Sequence, residues 1–427
     1  MSIIAALVLL LILLAIGLPV ALSLGLSGAL GLWLVGGPQL MLGILATAPG
    51  SAISSYELLT IPMFLLMAEF MVASGISNTL FDAVACWTAR LRGGLGIATA
   101  ITGAAFGAIS GSSTAAAATL STSSVPSMIR QGYEARFASG IVAVSGTLAM
   151  LIPPSIAIIF YGLLSGTDVG KLLIAGLLPG ILVTLTVVLT IRFMIWRNPR
   201  LSPAVGQTSW AEKLGSLRIA GPFIGLFLLV TGSIYLGVAT PVEASALGAS
   251  GAMILTLVSG AMSRQVLVTA LFNTIATSAM IGLIIVCASF LGYFLTITGV
   301  TRSMIAWITE SGISPHVVLL LLILLYLALG CFLDQLSILI LTVPVVHPLI
   351  VSMGFDPIWF GILIILLAEI GMVTPPVGLN LFVVARATGQ PVDDVVVGVV
   401  PHVIAHLLLI VIIVIFPQII LWLPNSM

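Results

Sequence analysis

A pair of adjacent prolines occurs twice inside long apolar runs, and that pattern leaves the chain few ways to fold. Met150-Leu151-Ile152-Pro153-Pro154 returns as Met372-Val373-Thr374-Pro375-Pro376, 222 positions downstream. Each pair removes two backbone donors and clashes with the preceding turn, so a regular helix cannot pass through it. Around these breaks 60% of the 427 residues are hydrophobic, 6% are charged and the mean hydropathy is +1.32. That composition excludes an ordinary soluble domain. Stretches such as Ile3–Val35, Leu172–Ile195, Gly221–Val238 and Val403–Leu423 are long enough to cross about 30 Å of hydrocarbon. In hydrocarbon a broken helix survives only where its freed carbonyls are buried in protein or line a cavity. Matched breaks in the two parts of a polytopic chain mark a transporter's binding site.

Further echoes support two related halves. Pro19, Val20 and Ser23 match Pro241, Val242 and Ser245, and Gly176 and Pro179 match Gly398 and Pro401, all at the same offset of 222. Ser124-Val125-Pro126 matches Thr342-Val343-Pro344 at 218. The polar stretch 197–218 is the natural joint between halves 1–196 and 219–427. Crossings are expected near 171–196, 219–238, 241–260, 275–298 and 394–424, with broken helices near 137–163 and 356–385. Re-entrant hairpins are expected near 95–128 and 316–346. The first is flanked by small residues around Ser110-Gly111-Ser112-Ser113-Thr114, which allow close helix approach. A single crossing helix is the alternative there. Threading the hairpins places most Lys and Arg residues, among them Arg130, Arg136, Arg192, Arg197 and Arg264, on one side. Lys171 and Arg302 stand opposite. The basic side is cytoplasmic. The halves are then inverted, and both chain ends are periplasmic. Met1–Ile16 lacks the basic start of a signal peptide and runs on into apolar sequence.

Ionisable groups at membrane depth are costly and usually functional. Asp334 either orients a polar ligand or ion, or caps a half-helix, where the dipole favours a carboxylate. Glu69 and Glu369 read as structural supports, and Glu243, after Pro241, as first-turn decoration. His402 and His406 share a helical face without the pattern that completes a metal site. His347 precedes Pro348 and ends the hairpin. Arg386 closes a helix near the cytoplasmic face, and Asn380, one turn beyond Pro376, is the better polar contact. The seven tryptophans read mostly as an interfacial belt. Cys86, Cys287 and Cys331 read as small core residues. No basic stripe indicates nucleic acid, and Ser110-Gly111-Ser112 has no histidine partner for hydrolysis, so an enzyme is not expected.

Phe106-Gly107-Ala108-Ile109-Ser110-Gly111-Ser112-Ser113-Thr114-Ala115 and Gly146-Thr147-Leu148-Ala149-Met150-Leu151-Ile152-Pro153-Pro154-Ser155 resemble the large membrane subunit of tripartite ATP-independent periplasmic (TRAP) transporters. Gly330 to Asp334 and Gly371 to Gly378 fit the same pattern, and the similarity runs along essentially the whole chain. Ala149 departs from it, standing where the family usually shows glycine. The resemblance implies an all-α polytopic fold of two inverted repeats in the bacterial inner membrane, with an elevator-type transport domain moving against a scaffold. It implies sodium-coupled import of a small organic anion (a carboxylate, sugar acid or sulfonate), with a periplasmic binding protein and a small four-helix membrane subunit as partners and Na+ as coupling ion. Carried over, sodium site 1 uses Ser110, Ser112, Ala149, Ile152 and Pro154, and site 2 uses Ala328, Gly330, Gly371, Thr374 and Pro376. Substrate sits near Ser113, Thr114, Ser155, Asp334 and Asn380. Hydroxyls and backbone carbonyls suit a hard cation. An anion can be held by half-helix N-termini without a buried base. A stand-alone sodium- or proton-coupled carrier, with Asp334 as proton carrier, is the competing reading. A channel is disfavoured, because no charged ring is visible.

Overall fold

A computed structural model describes residues 2–202 and 208–427. Of the joint at 197–218, residues 203–207 lie outside the described residues. Every regular element among the described residues is helical. By length and composition, eight of these helices can cross a membrane. The protein is thus an all-α polytopic membrane protein.

One succession of elements occurs twice. Helix Gly94–Ser110 and helix Ser113–Arg130 form an antiparallel pair joined at a short tip. Helix Ala135–Thr147 follows, runs into a 3-10 turn at Leu148–Met150, breaks, and resumes as Ile156–Ser165, before the long helix Val169–Arg197. Later, Pro315–Phe332 and Gln335–Ser352 flank a second tip. Pro357–Gly371 then breaks and resumes as Leu379–Thr388, ahead of the long helix Val392–Ile415. Proline causes both interruptions, and both Pro–Pro bonds are cis.

The remaining long helices brace this centre in a reciprocal arrangement. Helix Val20–Ile53, kinked at Gly37-Pro38, packs along Arg264–Thr298, and Thr60–Ala73 packs along Pro241–Val258. The first pair is so close that a Cβ on Gly28 would lie 2.5 Å from the Leu291 amide nitrogen. Small residues provide such contacts in a membrane, where lipid offers no hydrophobic drive for helices to associate. In the second pair Thr256 Oγ1 donates to the Phe70 carbonyl at 2.9 Å. Glu69, read as structural, accepts from Asn273 Nδ2 at 3.1 Å. Glu243 forms a capping box with Thr240, the carboxylate accepting from the Thr240 amide at 2.8 Å. Six of the seven tryptophans are exposed; Trp359 is buried instead, stacked on Phe355 and donating to the Ile413 carbonyl at 3.3 Å.

Candidate functional site

The first tip turns on Gly111, which ends its helix in the left-handed region (φ 55°) that favours glycine. Ser112 is extended, and its Oγ accepts from the Ala115 amide at 3.4 Å, starting the next helix. Its hydroxyl also lies 3.3 Å from Thr114 Oγ1. The tip lies against the first break. A Cβ added to Gly107 would overlap Ala149 Cα, and one on Gly111 would lie 3.5 Å from the Ile156 amide nitrogen. The methyl of Ala149 is therefore accommodated because glycine faces it. Pro154 lines a small void together with Ala108, and Ile152 packs at Gly180. Residues 148–155 are buried throughout. Ser155 closes the break: its hydroxyl donates to the Met150 carbonyl and accepts from the Ile158 amide at 3.3 Å. Ser110 Oγ is buried without a protein partner. A buried hydroxyl left unpaired beside a sealed, proline-interrupted backbone has the donor chemistry a sodium ion takes.

The second tip is built differently. Its incoming helix ends at extended Leu333, and Asp334 caps the outgoing helix, accepting from the Ser337 amide at 3.2 Å and from the Ser337 hydroxyl. Asp334 is exposed, and these bonds spend it on the cap. Here glycine meets glycine: a Cβ on Gly371 would lie 2.5 Å from Gly330 Cα. The Gly378 amide donates to the Cys331 carbonyl at 3.0 Å, which fastens the far side of the break to the tip. Thr374 Oγ1 donates to the Ile370 carbonyl at 2.6 Å and keeps its lone pairs. Ala328, Pro375 and Pro376 are exposed, and Thr374 is half-buried.

Between tips and breaks lies a buried polar contact that joins sequence-distant residues. Asn380 Nδ2 donates to Ser113 Oγ at 2.6 Å, and Ser113 Oγ reaches Glu369 Oε2 at 3.5 Å. Ser113 and Asn380 open their helices, so two helix N-termini converge here, each favouring negative charge. Asn380 Oδ1 and Glu369 Oε1 are buried without protein partners. Of the residues expected around a substrate, Ser113 and Asn380 are thus in direct contact, and Thr114 is next in chain. The hydrogen bonds of Ser155 and Asp334 serve their own helices. The part Glu369 plays at this contact was missed. Its only sequence signal was a carboxylate within an otherwise apolar helix, five residues before Thr374. His402 and His406 are buried on one helix, and no group of three or more His, Cys, Asp or Glu suited to a metal exists among the described residues.

Interrupted helices packed against the tips of helical hairpins define an all-helical, multi-span membrane protein of the transporter class. Its fold resembles the Alcanivorax borkumensis YdaH transporter, with a TM-score of 0.64 at 16% identity over 90% of each chain. Neisseria gonorrhoeae MtrF aligns with a TM-score of 0.60 at 11% identity, over 89% of this chain and 85% of that one. Sequence relatives are nearer. The chain is 36% identical over 371 residues to the C4-dicarboxylate TRAP transporter large permease protein of Pseudomonas aeruginosa, covering 87% of this chain and 86% of that protein. It is 30% identical to the sialic acid TRAP transporter large permease protein of Vibrio cholerae over 87% of each. With the ectoine TRAP transporter large permease protein of Halomonas elongata it shares 28% identity over 97% of this chain and 96% of that protein. Residues 7–419 match the family described as the tripartite ATP-independent periplasmic transporter, DctM component. The chain belongs to that family: it is a large permease component of a TRAP transporter.

Proposed function

We propose that this chain imports a small organic anion, driven by sodium, across the bacterial inner membrane. A periplasmic binding protein delivers the anion, and a small four-helix membrane subunit completes the complex. The observation that carries the reading is the repeated pairing of a helix-hairpin tip with a Pro–Pro break. At the first pair a buried hydroxyl, Ser110 Oγ, lacks any protein partner. Sodium site 1 then comprises Ser110, Ser112 and backbone carbonyls at Ala149, Ile152 and Pro154. Site 2 uses Ala328, Gly330, Gly371, Thr374 and Pro376. The two hairpins are re-entrant and the halves 1–196 and 219–427 inverted, so the tips approach the midplane from opposite faces and both termini are periplasmic. Tips and breaks form the transport domain of an elevator, and the reciprocal outer helices form its scaffold.

The anion binds where the N-termini at Ser113 and Asn380 converge, with Thr114, Ser155 and Asp334 around it. The amides that start the Ser113 helix and the Thr114 hydroxyl supply donors without a buried Lys or Arg. The relatives' names cite different cargoes, C4-dicarboxylate, sialic acid and ectoine. That diversity fits a common membrane machine whose cargo is selected by the binding protein. The test is uptake into proteoliposomes holding this chain and the small subunit, with loaded binding protein outside. Uptake is expected only under an inward sodium gradient; equal uptake in sodium-free buffer contradicts the coupling.

A further inference from the structure

Beside the first break a small void of about 10 Å³ lies where the helices Pro357–Gly371 and Val392–Ile415 meet Val169–Arg197. Its lining is apolar except for Thr147, Glu369 and His406. The Thr147 hydroxyl is already committed, donating to the Val144 carbonyl at 2.8 Å. The other two polar groups are not satisfied. Glu369 is 4% exposed and His406 3% exposed, and Glu369 Oε1 and His406 Nε2 have no hydrogen-bond partner.

The far side of each group is held. Glu369 Oε2 receives Ser113 Oγ, and the backbone of Val183 faces the other side of the His406 ring. A carbonyl in mid-helix only accepts, so the imidazole nitrogen facing it carries the hydrogen and Nε2 is left as an acceptor. A carboxyl oxygen and an imidazole nitrogen thus line one void, neither with a protein partner. Water is the neutral molecule small enough that donates twice, and a void of roughly 10–15 Å³ on this measure is the least that holds one.

The geometry points to a bound water bridging Glu369 Oε1 and His406 Nε2, which makes Glu369 a positioning residue for the first tip. One water O–H points to each acceptor, which fixes the carboxyl plane and aims Oε2 at Ser113. Ser113 in turn holds Asn380 and adjoins Ser112. The carboxyl therefore sets where the first tip sits against the second broken helix, Pro357–Gly371 and Leu379–Thr388. The effect on ion affinity rests on the reading of that tip as a sodium site; the water does not.

High-resolution cryo-electron microscopy of the full chain with its small subunit is the direct test. Expected is density within hydrogen-bonding distance of both Glu369 Oε1 and His406 Nε2; an empty void, or direct contact of the two side chains, overturns the proposal. Sodium-driven uptake supplies a second readout. Glu369→Ala should raise the half-saturating sodium concentration about tenfold at an unchanged maximum rate. Glu369→Gln keeps an acceptor for Ser113 and offers its amide N–H to His406, and should stay within about threefold of the native value. His406→Leu removes the water's second acceptor and should shift sodium affinity in the same direction, which decides the matter if Glu369→Ala does not fold. Variants that lower the maximum rate with sodium affinity untouched would overturn the positioning role. Sodium-independent uptake alongside the water density would instead overturn the reading of the tip and leave the water site standing.

Discussion

At the first break Pro153 and Pro154 are buried with the whole of 148–155, whereas at the second Pro375 and Pro376 are exposed and Thr374 is half-buried. The first tip turns through a left-handed glycine into a serine cap, and the second through an extended leucine into an aspartate cap. Gly107 faces Ala149 in one, and Gly330 faces Gly371 in the other. A shared Pro–Pro motif therefore sits in two environments, one sealed by side chains and one open at its edge. The difference teaches that the two proposed ion sites are not copies. The first is completed by the buried Ser110 and half-buried Ser112 hydroxyls, and the second by backbone and the Thr374 hydroxyl at an accessible edge.

The strongest attack on this comparison is to crowd the glycine contact of the open break. Gly371→Val should lower stability in lipid nanodiscs by about 3 kcal/mol, the upper end of overpacking costs, seen as an earlier thermal transition. Ala149→Gly, which makes the sealed break resemble the open one, should cost only about 1 kcal/mol for the missing methyl. Equal losses would mean that the two contacts are not different in kind. Next in size is the polar contact between tip and break. Asn380→Ala removes the donor to a buried hydroxyl, an effect of about 1–3 kcal/mol, and should weaken apparent substrate affinity about tenfold in the uptake assay. Wild-type affinity would remove Asn380 from the anion site.

Accessibility sharpens the contrast further. With Cys86, Cys287 and Cys331 replaced, a cysteine at Thr374 should react with a thiol reagent roughly tenfold faster than one at Ile152, because reaching the latter needs local opening. Similar rates would erase the distinction between sealed and open. The smallest effect is expected at Arg136–Asp394, an ion pair of 2.9 Å joining helices on either side of the joint. Its side chains are 54% and 27% exposed, so Asp394→Asn should change stability by less than about 1 kcal/mol.

Much of this was legible in the sequence. The interruptions at Pro153-Pro154 and Pro375-Pro376 follow from proline alone, and capping a half-helix is one of the two readings the position of Asp334 offers. The Gly-Ser composition of the first tip was enough to place a turn there. Less visible were contacts that depend on which helix faces which. Nothing local to Glu369 signals Ser113, 256 residues away, because a periodic pattern reports a buried face and not its neighbour. The burial of Trp359, the exception among tryptophans that read mostly as interfacial, was hidden for the same reason: near a helix end, an interfacial and a buried tryptophan look alike in sequence. The exposure of Pro375 and Pro376 was likewise hidden, since both breaks lie in equally apolar runs.

The most direct measurement is equilibrium sodium binding to the purified chain, comparing the native protein with Ser112→Ala, Thr374→Val and the double variant. If each tip and break forms its own site, each single variant weakens one class of sodium binding about tenfold or more and leaves the other in place, and the double variant loses both. Sodium binding unchanged in the double variant would contradict the account.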